Sequence, residues 1–169
     1  MNTKKITTLG LLTGVALILF IVEAQIPALV PIPGIKLGLA NIVTVFTVFL
    51  LGAKTGGAVL FCRVFLGAVF AGNFSTIFYS ASGGLFAILV TIGLKKVVTK
   101  KQLWVAGILG AIAHSIGQMV AALLLTGVPA VLLYLPFMVI ISIFTGTFTG
   151  LTAQVLLNRG DKLWKTIFK

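Results

Sequence analysis

Six polar or ionisable side chains fall within or beside long apolar stretches of this chain, and their functional groups suit the binding of a small molecule. Glu23 and Arg63 carry opposite charges, while the His114 imidazole and the amide side chains both donate and accept hydrogen bonds. An ionisable group at mid-depth in a membrane costs about 2.5 to 3.5 kcal/mol on insertion scales, so it usually turns inward and pairs with another group. The six side chains are those of Glu23, Asn41, Arg63, Asn73, His114 and Gln118.

Two of these residues have a spacing that places them side by side. His114 and Gln118 are four positions apart and share one face of a helix, and Gly107 and Gly110 would let another helix approach closely. One interpretation is therefore a polar pocket that opens toward the outer side of a membrane. Lys36, at the end of a proline-rich loop that would cover the pocket, would attract charge to its mouth.

A second interpretation assigns the same residues to structure alone. Glu23 and Arg63 would form a buried ion pair, while Asn41, Asn73 and the imidazole would only tie helices together. The sequence leaves both interpretations open.

The composition argues against catalysis. Besides its single histidine, the chain has two acidic residues, Glu23 and Asp161, and one cysteine, Cys62. A prenyl diphosphate synthase needs clustered aspartates to hold Mg²⁺ against the diphosphate. Phosphate loops, nucleophile elbows and metal-spaced histidine pairs are also missing from the sequence. We therefore predict no catalytic residue, no metal site and no cofactor, and an enzyme acting alone is improbable.

The stretches that carry these residues predict a membrane protein. Hydrophobic residues make up 59% of the chain and charged residues 9%, and the mean hydropathy is +1.21. A soluble globule needs more polar surface than this. Apolar runs of roughly 16 to 25 residues can each cross about 30 Å of hydrocarbon as a helix. We predict an all-α bundle of six transmembrane helices forming one domain over residues 1–169, with spans at about 7–27, 37–51, 56–71, 76–94, 103–126 and 130–157.

The basic residues predict the orientation of this bundle. The net charge of +11 could suggest nucleic acid, but the lysines and arginines gather at helix ends. With six spans, Lys36 is the one basic residue on the outer side and Arg63 lies within the membrane, whereas all others fall on the inner side. We therefore predict a multi-pass protein of the cell membrane with both termini cytoplasmic, membrane lipids as partners, and no nucleic acid.

Two pairs of glycines have the small-xxx-small spacing that lets membrane helices pack closely. Gly10 and Gly14 lie near the inner end of the first span, and Gly146 and Gly150 lie in the last. Packing within the bundle is the simpler expectation for both pairs, and a docking face for another membrane protein is the alternative. Cys62 is expected to be a small buried side chain.

Several stretches resemble a known membrane family. They are the run from Pro31 to Asn41 (PIPGIKLGLAN), the run from Leu51 to Lys54 (LGAK), Arg63 with Gly72, and the run from Ser80 to Gly84 (SASGG). In these stretches the chain resembles the family named both Gx transporter and heptaprenyl diphosphate synthase component I. The resemblance covers nearly the whole chain.

The resemblance carries functional expectations. The family is similar to the S components of energy-coupling factor transporters, which bind a small molecule near the outer face and dock onto a transmembrane coupling subunit with ATPases. S components often carry an Ala-xxx-Ala docking motif in their first helix, and here Gly10 and Gly14 have that spacing. The resemblance thus implies a binding subunit for a small polar or anionic ligand. Its synthase label implies an alternative, a non-catalytic partner of a prenyl synthase subunit in quinone synthesis or membrane electron transfer.

Overall fold

A computed structural model of the chain describes residues 3–26, 38–72 and 75–160, and the regular secondary structure within them is helical. Short 3₁₀ segments, Lys100–Gln102 and Pro129–Tyr134, lead into the last two α-helices. The all-α bundle predicted from the sequence is confirmed, with most helix ends within a few residues of the expected positions. The helices are α1 (Thr3–Ala24), α2 (Asn41–Leu51), α3 (Ala53–Ala71), α4 (Ser75–Leu94), α5 (Leu103–Thr126) and α6 (Leu135–Arg159).

Five helical segments among the described residues are long and apolar enough to cross a membrane. They include all of the α-helices except α2. Large apolar side chains such as Phe61, Leu124 and Phe144 are exposed along them. Exposed apolar surface of this extent needs lipid around it. The chain is therefore a multi-pass membrane protein.

Helix α2 is shorter than predicted. The sequence indicated a span from residue 37, but the helix begins at Asn41 because Gly38 has a positive φ of 83° that a right-handed helix does not accommodate. Its 11 residues rise about 16 Å, against about 30 Å of hydrocarbon. At the other end, Gly52 with φ 97° makes the whole connection to α3.

This short helix lies at the centre of the bundle. It contacts each of the other five α-helices, and residues 41–48 are all buried. Near its C-terminal end, the Val48 carbonyl accepts hydrogen bonds from Lys95 Nζ at 2.7 Å and from the Gly52 amide at 3.1 Å. A cation at the C-terminal end of a helix is favoured by the helix dipole. Lys95, which follows α4, thus supplies a hydrogen-bond donor to the C-terminal end of α2.

Two apolar clusters show which helix ends meet. One joins Leu9 in the first half of α1 to Leu51, Leu103 and Leu157, which lie at an end of α2, α5 and α6. We call this end of the bundle, which carries Lys4, Lys54, Lys95 and Arg159, the basic end. The second cluster joins Tyr79 of α4 to Met119, Val131 and Met138 at what we call the opposite end. This arrangement gathers the described lysines on one end, as the sequence predicted.

Glycines bring α5 and α6 into close contact. A Cβ added to Gly107 would lie 2.3 Å from the Gly146 carbonyl oxygen and 2.5 Å from the Gly150 Cα. Two serines from the same helices, Ser115 and Ser142, join their hydroxyl groups at 2.7 Å. The Gly146 and Gly150 pair therefore packs inside the bundle, as expected.

The glycine pair of α1, Gly10 and Gly14, differs from the α6 pair in its packing. A Cβ added to Gly10 or Gly14 would meet nothing within 4 Å, so this part of α1 is not packed against the described part of the bundle. The expectation that Gly10 and Gly14 pack within the bundle is therefore wrong.

The prediction for Cys62 is also wrong, because its side chain is exposed. Adjacent positions in a helix point about 100° apart, so burying Arg63 turns its neighbour toward the surface.

Candidate functional site

Five of the predicted binding residues come together between the middle of the bundle and the end opposite the basic end, and four helices supply them. All are buried, with exposed fractions of 1% to 5%. Two further predicted residues, Lys36 and Asn73, lie outside the described residues, as does the proline-rich loop over residues 28–36. The five are Glu23 of α1, Asn41 of α2, Arg63 of α3, and His114 and Gln118 of α5. We refer to them as the polar cluster.

Glu23 joins the end of α1 to the turn that precedes α2. Its Oε1 accepts a hydrogen bond from the Gly38 amide, and its Oε2 accepts one from the Leu39 amide at 3.0 Å. These amides lie in the turn just before Asn41, where backbone donors lack helical partners. A carboxylate there also complements the positive end of the helix dipole. Glu23 therefore has a clear structural role in starting α2.

Arg63 lies within electrostatic reach of two other members of the cluster. The Glu23 carboxylate acts on its guanidinium, and the guanidinium in turn acts on His114. Buried charges are tolerated when they are paired, because pairing offsets part of the cost of removing them from water. The opposite charges of Glu23 and Arg63 balance each other in the polar cluster.

His114 is held between two glycines from different parts of the chain. A Cβ on Gly83 of α4 would lie 2.8 Å from the imidazole Cε1 and 3.0 Å from Gln118 Cγ. On another side, a Cβ on Gly38 would lie 3.3 Å from the imidazole Cδ2. Larger residues at these two positions would collide with the ring. The absence of side chains there lets the imidazole sit against α4 and the start of α2.

Gly38 also connects Asn41 to the cluster. The position that a Cβ on Gly38 would take is 2.9 Å from Asn41 Nδ2 and 3.3 Å from His114 Cδ2. The Gly38 amide is bound by Glu23. One glycine thus touches three members of the polar cluster, which places Asn41 beside the charged pair and the imidazole.

Some hydrogen-bonding atoms of the cluster have no partner among the described residues. Asn41 Nδ2, Asn41 Oδ1 and Arg63 Nη2 are buried and have no hydrogen-bond partner within residues 3–26, 38–72 and 75–160. Leaving a buried polar group unsatisfied costs about 1 to 3 kcal/mol. Native structures hold few such groups, and each one calls for a reason, such as a ligand or an unseen water molecule. The arrangement offers two donors and one acceptor to a molecule that enters it.

The polar cluster presents hydrogen-bonding and charged groups in apolar surroundings. The described residues contain no group of three or more His, Cys, Asp or Glu side chains that could hold a metal ion. The charged groups of the cluster already interact with each other or with backbone amides. Hydrogen-bond donors and acceptors in a dry, apolar surrounding give orientation and specificity to a bound molecule.

Sequence reasoning overlooked two residues that shape the site. It noted Gly83 and Gly38 only as parts of resembling stretches, yet these glycines create the space that His114 occupies. A glycine beside a polar residue in an apolar span is a weak signal, because most membrane glycines serve helix packing. The contact between Gly38 and His114 joins residues 76 positions apart in the chain, and no local pattern shows it.

Comparison with known proteins identifies a family. The family model described as heptaprenyl diphosphate synthase component I matches residues 12–156. Comparison with curated proteins and with solved structures finds no match. The chain therefore belongs to the heptaprenyl diphosphate synthase component I family, and the likeness to S components remains a prediction.

Proposed function

We propose that this member of the heptaprenyl diphosphate synthase component I family is a substrate-binding membrane subunit that takes a small polar or anionic molecule from the outer side. Arg63 and His114 contact the ligand, and Glu23 balances the charge of Arg63. The cluster lies between the middle of the bundle and the end opposite the basic end, and by the distribution of lysines that opposite end faces outward. The protein carries no catalytic residue in this proposal.

One observation supports the proposal most directly. Four helices bring five buried polar side chains together in an apolar bundle, and three of their hydrogen-bonding atoms are open. A cluster that served packing alone would gain from closing those hydrogen bonds, because each open group costs about 1 to 3 kcal/mol. A bound ligand supplies the missing partners.

The test concerns Arg63. In protein extracted from its own membrane, native mass spectrometry should detect a retained small molecule, and Arg63→Ala should abolish its retention while expression stays unchanged. Removing the guanidinium deletes a donor and leaves the Glu23 charge uncompensated. Arg159→Ala is the matched control, because Arg159 is exposed at the basic end.

Two results would contradict the proposal. If Arg63→Ala collapses expression while Arg159→Ala does not, the ion pair is structural. If the wild-type protein retains no small molecule that depends on Arg63, it does not act as a binding subunit.

The open glycine face of α1 suggests how such a subunit would couple to an energy source. A Cβ added to Gly10 or Gly14 would meet none of the described residues within 4 Å, so another membrane helix could approach them closely. We propose this face as the docking surface for a transmembrane coupling subunit that works with ATPases. A bulky change, Gly14→Leu, should then remove the coupling subunit from purified samples.

The family description supports a second candidate. It names one component of a heptaprenyl diphosphate synthase, which implies association with a synthase partner component. In this alternative the protein is a non-catalytic membrane partner in quinone synthesis or membrane electron transfer. Co-purification separates the two: an ATPase module bound to the protein favours transport, and a prenyl synthase subunit favours the alternative.

A further inference from the structure

The open hydrogen-bonding atoms of the polar cluster restrict the chemistry of its ligand. Asn41 and Arg63 are 5% and 4% exposed, and among the described residues neither Asn41 Nδ2, Asn41 Oδ1 nor Arg63 Nη2 has a partner. Both ends of the Asn41 amide are open, so exchanging its oxygen and nitrogen would change nothing. An occupant must therefore offer one donor and two acceptors to satisfy all three atoms.

An anion meets this requirement poorly. A carboxylate or the dianion of a phosphate monoester carries acceptors only at its charged group, so it could satisfy Arg63 Nη2 and Asn41 Nδ2 but not Asn41 Oδ1. A primary carboxamide, a lactam or a cyclic imide has an N–H beside a C=O on one edge. Such an edge pairs with the Asn41 amide at two points and still has a carbonyl lone pair for Arg63.

The charges of the cluster also favour a neutral ligand over an anion. The Glu23 carboxylate balances Arg63 and is itself held by the Gly38 and Leu39 amides. A bound anion would leave one uncompensated negative charge among buried groups, which is costly in a membrane interior. A neutral head group keeps the balance. Arg63 by itself would suggest an anionic ligand, but its charge is already compensated.

We propose that the cluster selects a neutral head group with N–H and C=O on one edge, a carboxamide, lactam or cyclic imide, over the carboxylate of the same shape. This inference rests on the proposed binding function and narrows its ligand class. The Asn41 amide recognises this edge through two hydrogen bonds, and the Arg63 guanidinium donates a hydrogen bond to the carbonyl oxygen.

The experiment identifies the molecule that the protein retains from its own membrane. Native mass spectrometry with fragmentation is applied to the wild-type protein and to two arginine variants. A molecule counts as the occupant only if Arg63→Ala loses it while Arg159→Ala keeps it, which excludes phospholipids bound around the outside of the bundle. We expect an uncharged molecule that contains an amide, lactam or imide.

Variants of α2 test the role of Asn41. Asn41→Leu has similar volume without hydrogen-bonding groups, and it should lower retention of the occupant at least about tenfold, the factor expected for losing a buried two-point hydrogen bond. Thr47→Val is the matched control, because Thr47 is a fully buried residue of α2 whose Oγ1 also lacks a partner. It should leave retention unchanged.

The outcomes separate this inference from the proposed function. An occupant that is a carboxylic acid or a phosphate overturns the inference and leaves the binding function standing. Unchanged retention in Asn41→Leu overturns it as well. The absence of any occupant that depends on Arg63 overturns the binding function, and the inference falls with it. If Asn41→Leu does not fold, the chemical identity of the molecule retained by the wild-type protein still tests the proposed neutral head group.

Discussion

At the scale of single residues, Glu23 combines two roles, and the sequence indicated only one of them, its pairing with Arg63. Its carboxylate accepts hydrogen bonds from the Gly38 and Leu39 amides, and it balances the charge of Arg63. The first role fixes where α2 begins, while the second keeps a guanidinium acceptable inside the bundle. A structural role for Glu23 is thus compatible with the binding role that we propose for the cluster.

This dual role predicts a stability effect. Glu23→Gln should lower the free energy of unfolding by about 1 to 3 kcal/mol, because the amide can accept through only one atom and leaves a buried backbone donor and Arg63 poorly satisfied. Thermal unfolding in detergent measures the loss. Gln25→Ala, at an exposed position in the turn after α1, should change little. Equal stability of Glu23→Gln and the wild type would show that the carboxylate is not needed to start α2.

At the scale of elements, the short helix α2 depends on charged groups from its neighbours. Glu23 of α1 binds the turn before it, and Lys95, which follows α4, binds the Val48 carbonyl in its last turn. Both charges have the sign that the helix dipole favours. Backbone groups at both ends of this central helix of 11 residues thereby gain hydrogen-bond partners from side chains, although the helix crosses only part of the membrane.

The contact of Lys95 can be tested by itself. Lys95→Met keeps the length of the side chain but removes the donor, and we expect a loss of about 1 kcal/mol in the free energy of unfolding. Lys96→Met, an exposed neighbour at the same end, is the control and should be neutral. If both variants lose the same stability, the effect reflects basic charge at this end rather than the hydrogen bond to Val48.

The two glycine pairs should respond to alanine in opposite ways. A Cβ on Gly150 would lie 2.6 Å from the Trp104 Cα, so Gly150→Ala forces the α5 and α6 backbones apart and should cost about 1 to 3 kcal/mol. A Cβ on Gly14 would meet nothing within 4 Å, so Gly14→Ala should raise the free energy of unfolding by about 0.5 to 1 kcal/mol, because alanine favours a helix more than glycine does. Unfolding curves of the two variants, recorded in the same detergent, provide the comparison. Destabilisation by Gly14→Ala would mean that α1 packs more closely than the structure shows.

At the scale of the whole molecule, the described basic residues gather at one end. Lys4, Lys54 and Arg159 lie at the ends of α1, α3 and α6, which contribute to one apolar cluster. Lys95 is joined to the same end of the bundle by its hydrogen bond to the Val48 carbonyl of α2. Basic residues near membrane-spanning helices favour the cytoplasmic side. In the orientation that we propose, with the basic end cytoplasmic, the polar cluster lies toward the outside.

Fusion of reporter proteins tests this orientation. A reporter after Arg159 should be active only inside the cell, and one inserted at Gly127, between α5 and the segment leading to α6, should be accessible from outside. The second fusion is the control for the first, because the two sites lie at different ends of the bundle. A reporter after Arg159 that is accessible from outside would reverse the orientation and turn the polar cluster toward the cytoplasm.

The sequence alone determined the class of the molecule and the positions of its helices. Apolar runs, their interruptions at residues such as Gly52 and Gly127, and the placement of lysines are local properties of the chain, so the six helices and their order could be predicted. The polar residues could also be placed roughly in depth, since depth follows from position along a helix.

Only the tertiary structure decided which face of each helix turns inward. In a membrane both the lipid-facing and the buried faces are apolar, so the sequence carries little of the periodic signal that reveals burial in soluble helices. For this reason Cys62 was wrongly expected to be buried, and the open face at Gly10 and Gly14 was not distinguished from the packed pair in α6. The same reason hid the contacts of Gly38 and Gly83 with His114, which exist only because separate helices pack together.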